Sequence, residues 1–208
     1  MKTTRTKLLI LMNYIPYPLN SGGMIAFFTM VDGLRTKMDI SLIFILKDAN
    51  QENLKRLKQI WQDVKIYVYT PKKDIHYYKQ KIGERLYWKG VLRHPALRNF
   101  VSPFSKYTPK LISYILNIIS NDKPDIIQTE FYPNQDLVYL FPDDIKTVFV
   151  QHEIHYIVNK MWLKANNLCN NSYAQAIFSK LKAEEISAMN EYDMVLTLND
   201  ADRKRIIQ

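Results

Sequence analysis

"LLILMNYIPYPLNSGGMIAFFTMVDGL", Leu8 to Leu34, decides the fold. Leu8–Met12 is a short apolar run closed by Asn13, and it reads as a strand buried on both faces, as a parallel sheet requires. A loop with Pro16 and Pro18 follows, then Ser21-Gly22-Gly23. Ile25, Phe28, Val31 and Leu34 then recur at spacings of three, a helical period from Gly22 to about Lys37. Strand, loop and helix in this order form the first half of a βαβ unit.

The rest of the chain repeats the alternation. Ile40–Leu46 is β-branched and aromatic and predicts a second strand. Asn50–Asp63 predicts a polar helix with Leu54, Leu57 and Ile60–Trp61 on one face. Val64–Tyr69 alternates as a third strand and Pro71 stops it. Pro109–Ser120 predicts a helix striped by Leu111, Ile112, Ile115 and Ile119. Asp125–Thr129 and Lys146–Gln151 predict two more strands, and Ser172–Glu191 a long helix with Ala174, Phe178, Leu181 and Ala188 inward. Met194–Leu198 predicts the last strand, and Asn199–Asp200 a cap opening another helix. Six strands with helices between them predict an α/β fold, a doubly wound, Rossmann-like parallel sheet. The last helix meets the chain end within about two turns, a pattern expected where a larger protein continues.

Composition bounds the class. Of the 208 residues, 47% are hydrophobic and 24% charged, ordinary values for a globular protein. The single cysteine, Cys169, excludes an intrachain disulfide, fits a reducing compartment, and reads as a small buried hydrophobe. The basic start and apolar run resemble a signal peptide, but the run is too short and no A-x-A site follows. No stretch approaches the length of a membrane span. A cytoplasmic protein is expected.

In an open parallel sheet, ligands bind beyond the carboxyl ends of the strands. Four segments place polar residues there: Asn20, Ser21, Gly22 and Gly23; Glu130, Tyr132 and Asn134; Gln151, His152, Glu153 and His155; and Asn199 with Asp200. Gly22-Gly23 reads either as a plain turn into a helix or as a ligand platform at a helix N-terminus. His152, directly after an apolar strand, reads either as a ligand contact or as a histidine satisfied by its own loop.

Several classes lose support. Asp48 stands where a ribose ligand would, but G-x-G-x-x-G is missing and the loop after Asn13 is too long for that fingerprint. No Walker A motif and no G-x-S-x-G elbow is present. His152-Glu153 with His155 is not the helical H-E-x-x-H pattern, and nothing completes a ligand set, so neither a metal nor a cofactor is expected.

The charge is local. Residues 71–110 carry ten Lys/Arg against Asp74 and Glu84, which is +8 of the chain's net +9. Within "IHYYKQKIGERLYWKG", 75–90, Ile75, Tyr78, Ile82 and Leu86 share a helical stripe while Lys79, Lys81, Arg85 and Lys89 lie off it, with Trp88 nearby. Basic residues with interfacial aromatics suit an anionic membrane surface or an anionic acceptor. A helix that packs its stripe and solvates its lysines has the same pattern. Nucleic acid is a weaker reading, because no recognised motif accompanies the charge.

The order of these pieces resembles the N-terminal half of a GT-B glycosyltransferase of the retaining family-4 type. The matching residues are "YPLNSGGMIAFFTMVDGL" at 17–34, "KPDIIQTE" at 123–130, "VFVQHEIH" at 148–155 and "EISAMNEYDMVLTLNDADRKRI" at 185–206. Each match is loose; their order and spacing make the likeness, which spans nearly the whole chain. It implies that residues 1–208 form the acceptor-side Rossmann-like domain, with a basic aromatic insertion at about 71–110 and the nucleotide-sugar domain absent. It further implies that Gly22 and Gly23 lie against the donor's phosphate or sugar. His152 would contact the transferred sugar or a phosphate near the reacting centre, and Asn199 would face the interdomain cleft. Glu185, on the apolar stripe of its helix, reads as structural, capping or pairing locally. The basic residue that many members carry early in the first helix is replaced here by Met24 to Phe28. The partners implied are a nucleotide-sugar donor and a glycan or lipid-linked acceptor of the cell envelope. This chain alone is expected not to turn over. A non-catalytic α/β binding or scaffold domain is the alternative.

Overall fold

The computed structural model describes residues 5–46, 50–71, 82 and 107–207. Asp48 and the basic patch of Lys79, Lys81, Arg85, Trp88 and Lys89 lie outside the described residues. Strands β1 (Lys7–Met12), β2 (Asp39–Ile45), β3 (Lys65–Tyr69), β4 (Ile126–Glu130), β5 (Lys146–Gln151) and β6 (Met194–Thr197) form one sheet in the order β3-β2-β1-β4-β5-β6. Every pairing is parallel. This is a doubly wound, Rossmann-like α/β fold whose strand order reverses between β1 and β4.

Helices α1 (Gly22–Leu34) and α2 (Gln51–Ile60) bury Phe27, Val31, Leu54 and Leu57 against Leu8, Ile10, Met12, Leu42 and Phe44. Helix α3 (Pro109–Asp122) covers the other face with Leu111, Ile115, Ile118 and Ile119, packing on Leu9, Leu11, Ile127 and Phe149. The 3-10 segment Tyr132–Leu140 and the end of α5 (Ser172–Asn190) complete that face through Leu137, Val138 and Met189. Helix α4 (His155–Ala165) packs on α5 in a satellite core of Leu163, Leu168 and Ala174. Helix α6 (Asp200–Ile207) follows β6, and the Asn199 side chain accepts from the Asp202 amide as its cap. No helix among the described residues is long and apolar enough to cross a membrane.

Carboxylates pin the amino ends of the strands. Asp122, at the end of α3, accepts from Ser41 Oγ at 2.7 Å, Tyr67 Oη at 3.0 Å and Lys65 Nζ at 3.1 Å, joining α3 to β2 and β3. Burial would raise its carboxyl, but these bonds win and hold it below the usual range. Asp193 accepts from Lys146 Nζ and the Thr147 amide, both at 2.8 Å, and is drawn down to about 2 by those bonds.

Three expectations change. Ile25 is 48% exposed, and the buried seam of α1 is Phe27–Val31, because a spacing of three drifts off a 3.6-residue helix face while four stays on it. Ile60 is exposed for the same reason, lying one step round α2 from Leu57 and Trp61. Cys169 is exposed, sitting in the polar turn between α4 and α5. Helix α4 and the 3-10 segment had no legible signal, since neither carries a side-chain cap of its own.

Ile10 is wholly buried in central β1, between two paired strands. Ile10→Ala should cost about 2–5 kcal/mol in urea denaturation. A loss below about 1 kcal/mol would mean that the core closes over the deleted atoms.

Candidate functional site

Because all six strands are parallel, their carboxyl ends share one edge, and the reversal between β1 and β4 opens that edge to a ligand. β1 delivers Tyr14 two residues past its end, β4 ends on Glu130, and β5 ends on Gln151 just before His152. The two-residue period of β4 puts Gln128 and Glu130 on the face of α1, while Thr129 turns away to donate to Tyr192 Oη.

Glu130 is the centre of this edge. It is 1% exposed, and its carboxylate is bonded by Gln128 Nε2 on one oxygen and by His152 Nε2 at 2.7 Å on the other. The His152 side chain retains 12% exposure, so the pair reaches from the interior to the surface. Phe131 stacks on the His152 imidazole with centroids 3.7 Å apart and planes 10° from parallel. Tyr14 also packs on Phe131, with centroids 5.0 Å apart and planes 60° from parallel. Burial, and next the Glu130 charge, push the Tyr14 phenol up to about 12, so it remains a protonated donor at neutral pH.

Ser21 caps α1 by accepting from the Met24 amide at 3.3 Å. Neither glycine of the Ser21-Gly22-Gly23 turn has a positive φ, so the backbone does not demand them. A Cβ at Gly22 would meet open space, and one at Gly23 would lie 3.6 Å from Tyr14 Oη. The pair therefore leaves the α1 N-terminus bare beside Tyr14, with Asn20 exposed next to it.

The other expected site residues have partners of their own. The Asn134 side chain is buried and donates to the Glu130 carbonyl at 3.0 Å, so it shapes the turn. Tyr132 stacks on His155 at 3.9 Å, forming a second aromatic pair next to the first. Asn199 stands at the end of β6, across β5 from Glu130, and is engaged with α6. Glu185 is structural, but its partners lie on another element. It accepts from the His155 and Tyr156 amides, each at 2.7 Å, and from Gln151 Nε2 at 3.0 Å, capping α4 across 30 residues of chain. A shallow groove along α2, lined by Gln51, Leu54, Lys55, Lys58, Gln59 and Gln62, lies apart from all of these. Among the described residues no group of three His, Cys, Asp or Glu could hold a metal ion.

Tyr14, Gln128 and Phe131 escaped the sequence reading. Tyr14 and Phe131 are apolar-looking residues in loops, and Gln128 sits inside an apolar strand; only the sheet order brings them to His152. No protein-family model and no curated protein matches the sequence. Among solved structures, the X-ray structure of Pen from Bacillus thuringiensis aligns over 95% of this chain and 78% of its own, at 7% identity and a TM-score of 0.32. Likeness at that level fixes neither fold nor function.

Burial raises the Glu185 carboxyl to about 7 from an ordinary 4.5, against the downward pull of its three N–H donors. The folded chain then keeps this proton to higher pH than the unfolded chain. The resulting stabilisation is complete below the unfolded value and is lost as pH rises through the folded one. Thermal denaturation should show stability falling between those two values by on the order of 3 kcal/mol, and Glu185→Gln should flatten the slope. Equal slopes in both proteins would show that this carboxyl is not proton-linked to folding.

Proposed function

We propose that the chain is the acceptor-side half of a glycosyltransferase that moves a hexosyl unit from a nucleotide-sugar to a cell-envelope glycan or lipid-linked acceptor. The observation that carries the reading is the buried Glu130–His152 pair at the strand-order reversal, where α/β sheets take their ligands. The order of sequence motifs supports it independently.

In this reading His152 is the working side chain. Glu130 holds the imidazole by Nε2 and can balance positive charge on it, as a carboxylate does for histidine in hydrolytic triads. The Tyr14 phenol donates a hydrogen bond beside it, and the bare α1 N-terminus, with Gly22 and Gly23, accepts a phosphate or sugar oxygen. Tyr132 and His155 offer flat faces to a sugar ring. A second, donor-side domain supplies the groups for the departing diphosphate, whose electrostatic stabilisation is the main catalytic contribution. The protein would work in the cytoplasm, with the +8 charge of residues 71–110 resting on the anionic inner face of the membrane.

The test is transfer from UDP- and GDP-sugars to membrane acceptors by the protein supplied with its donor-side domain. His152→Ala should lower the rate by roughly 10²–10⁴. Full activity in that variant, or no transfer from any donor, would leave the non-catalytic binding domain as the better reading. Membrane association has a separate check in vesicle co-sedimentation. Binding should need anionic lipid and should weaken by about 1 kcal/mol for each of Lys79, Lys81 and Arg85 replaced by Ala. Sedimentation indifferent to lipid charge would refute it.

A further inference from the structure

We infer that Phe131 is a positioning residue, whose strained backbone exists to lay its ring on His152. This deepens, and rests on, the reading of His152 as the working group of the site. Phe131 has φ 67° and ψ 145°, in the region that side-chain-bearing residues avoid and glycine fills freely. Lys123 and Asn167, the other non-glycine residues with positive φ among those described, close helices α3 and α4. Phe131 closes no helix. It is a bulky residue at the junction of β4 and the 3-10 segment, immediately after Glu130.

The surroundings hold that conformation from both sides. Asn134 donates through its side chain to the Glu130 carbonyl and through its backbone to the Phe131 carbonyl, each at 3.0 Å. The Phe131 ring, in contact with both Tyr14 and His152, is what the strained turn delivers. Glu130 fixes which edge of the imidazole faces inward, and Phe131 fixes the plane of the ring. Nδ1 forms no hydrogen bond with any described residue, so it is the nitrogen left for a ligand. A glycine here would remove the strain and with it the clamp; strain kept at such a point marks a functional constraint.

The experiment records long-range 1H–15N spectra of the His152 ring in the 208-residue chain, at alkaline pH where imidazoles are neutral. The wild type should show one tautomer, with its proton on Nε2. Phe131→Gly and Phe131→Leu should populate both, and Phe131→Tyr should restore the single form. The Leu variant keeps apolar bulk should the Gly variant fold poorly, and melting temperatures taken alongside separate clamp from packing. A single tautomer in both the Gly and Leu variants would overturn the assignment. So would its loss in all three variants in step with the melting temperature. The spectra involve no sugar, so failure of sugar transfer would sink the proposed activity and leave this result standing.

Discussion

A carboxylate buried to 1% exposure costs several kcal/mol unless it is paired and hydrogen-bonded, and Glu130 imposes that requirement on the carboxyl edge of the sheet. Its donors come from two strands: Gln128 from its own β4 and His152 from the end of β5. His152 could not reach it if the β4–β5 register slipped by one, since the slip would turn Gln128 and Glu130 together to the face packed by α3. The register that builds the core therefore builds the acid–imidazole pair as well.

The two edges of the sheet divide the work. At the amino edge, Asp122 and Asp193 accept from lysines, hydroxyls and amides that join neighbouring elements. Their partners lie 46 to 81 residues away in sequence, and both side chains stay partly exposed. At the carboxyl edge the buried carboxylate is joined to a side chain that still reaches the surface. A carboxylate thus serves as a fastener at one end and, at the other, as the anchor of a side chain that reaches the surface, according to its partners.

Much of this was legible in the residues. Apolar runs such as Leu8–Met12 declare buried parallel strands, and the alternation with helices declares the doubly wound sheet, because burial on both faces leaves no other pattern. The carboxyl-edge rule puts Glu130 and His152 at the same end of the sheet. Their bond was not legible, since it joins residues 22 apart on neighbouring strands. Nor was the role of Glu185, whose two amide partners belong to a helix 29 and 30 residues earlier with no cap of its own. Phe131 was hidden most deeply, because a backbone dihedral leaves no trace in composition.

Glu130 and Glu185 also act on the same short turn. Glu185 binds Gln151 before it and His155 and Tyr156 after it, so the chain on both sides of His152 is tied to α5. Glu130 binds His152 itself from the opposite side, through β4. No partner of Glu185 can take its proton readily, for two are backbone amides and the third is a side-chain amide. The turn between β5 and α4 is therefore tied to α5 by one buried carboxyl and carries a ring that a second, from β4, holds in place. That separation ties down both flanks of His152 without using the ring that Glu130 binds.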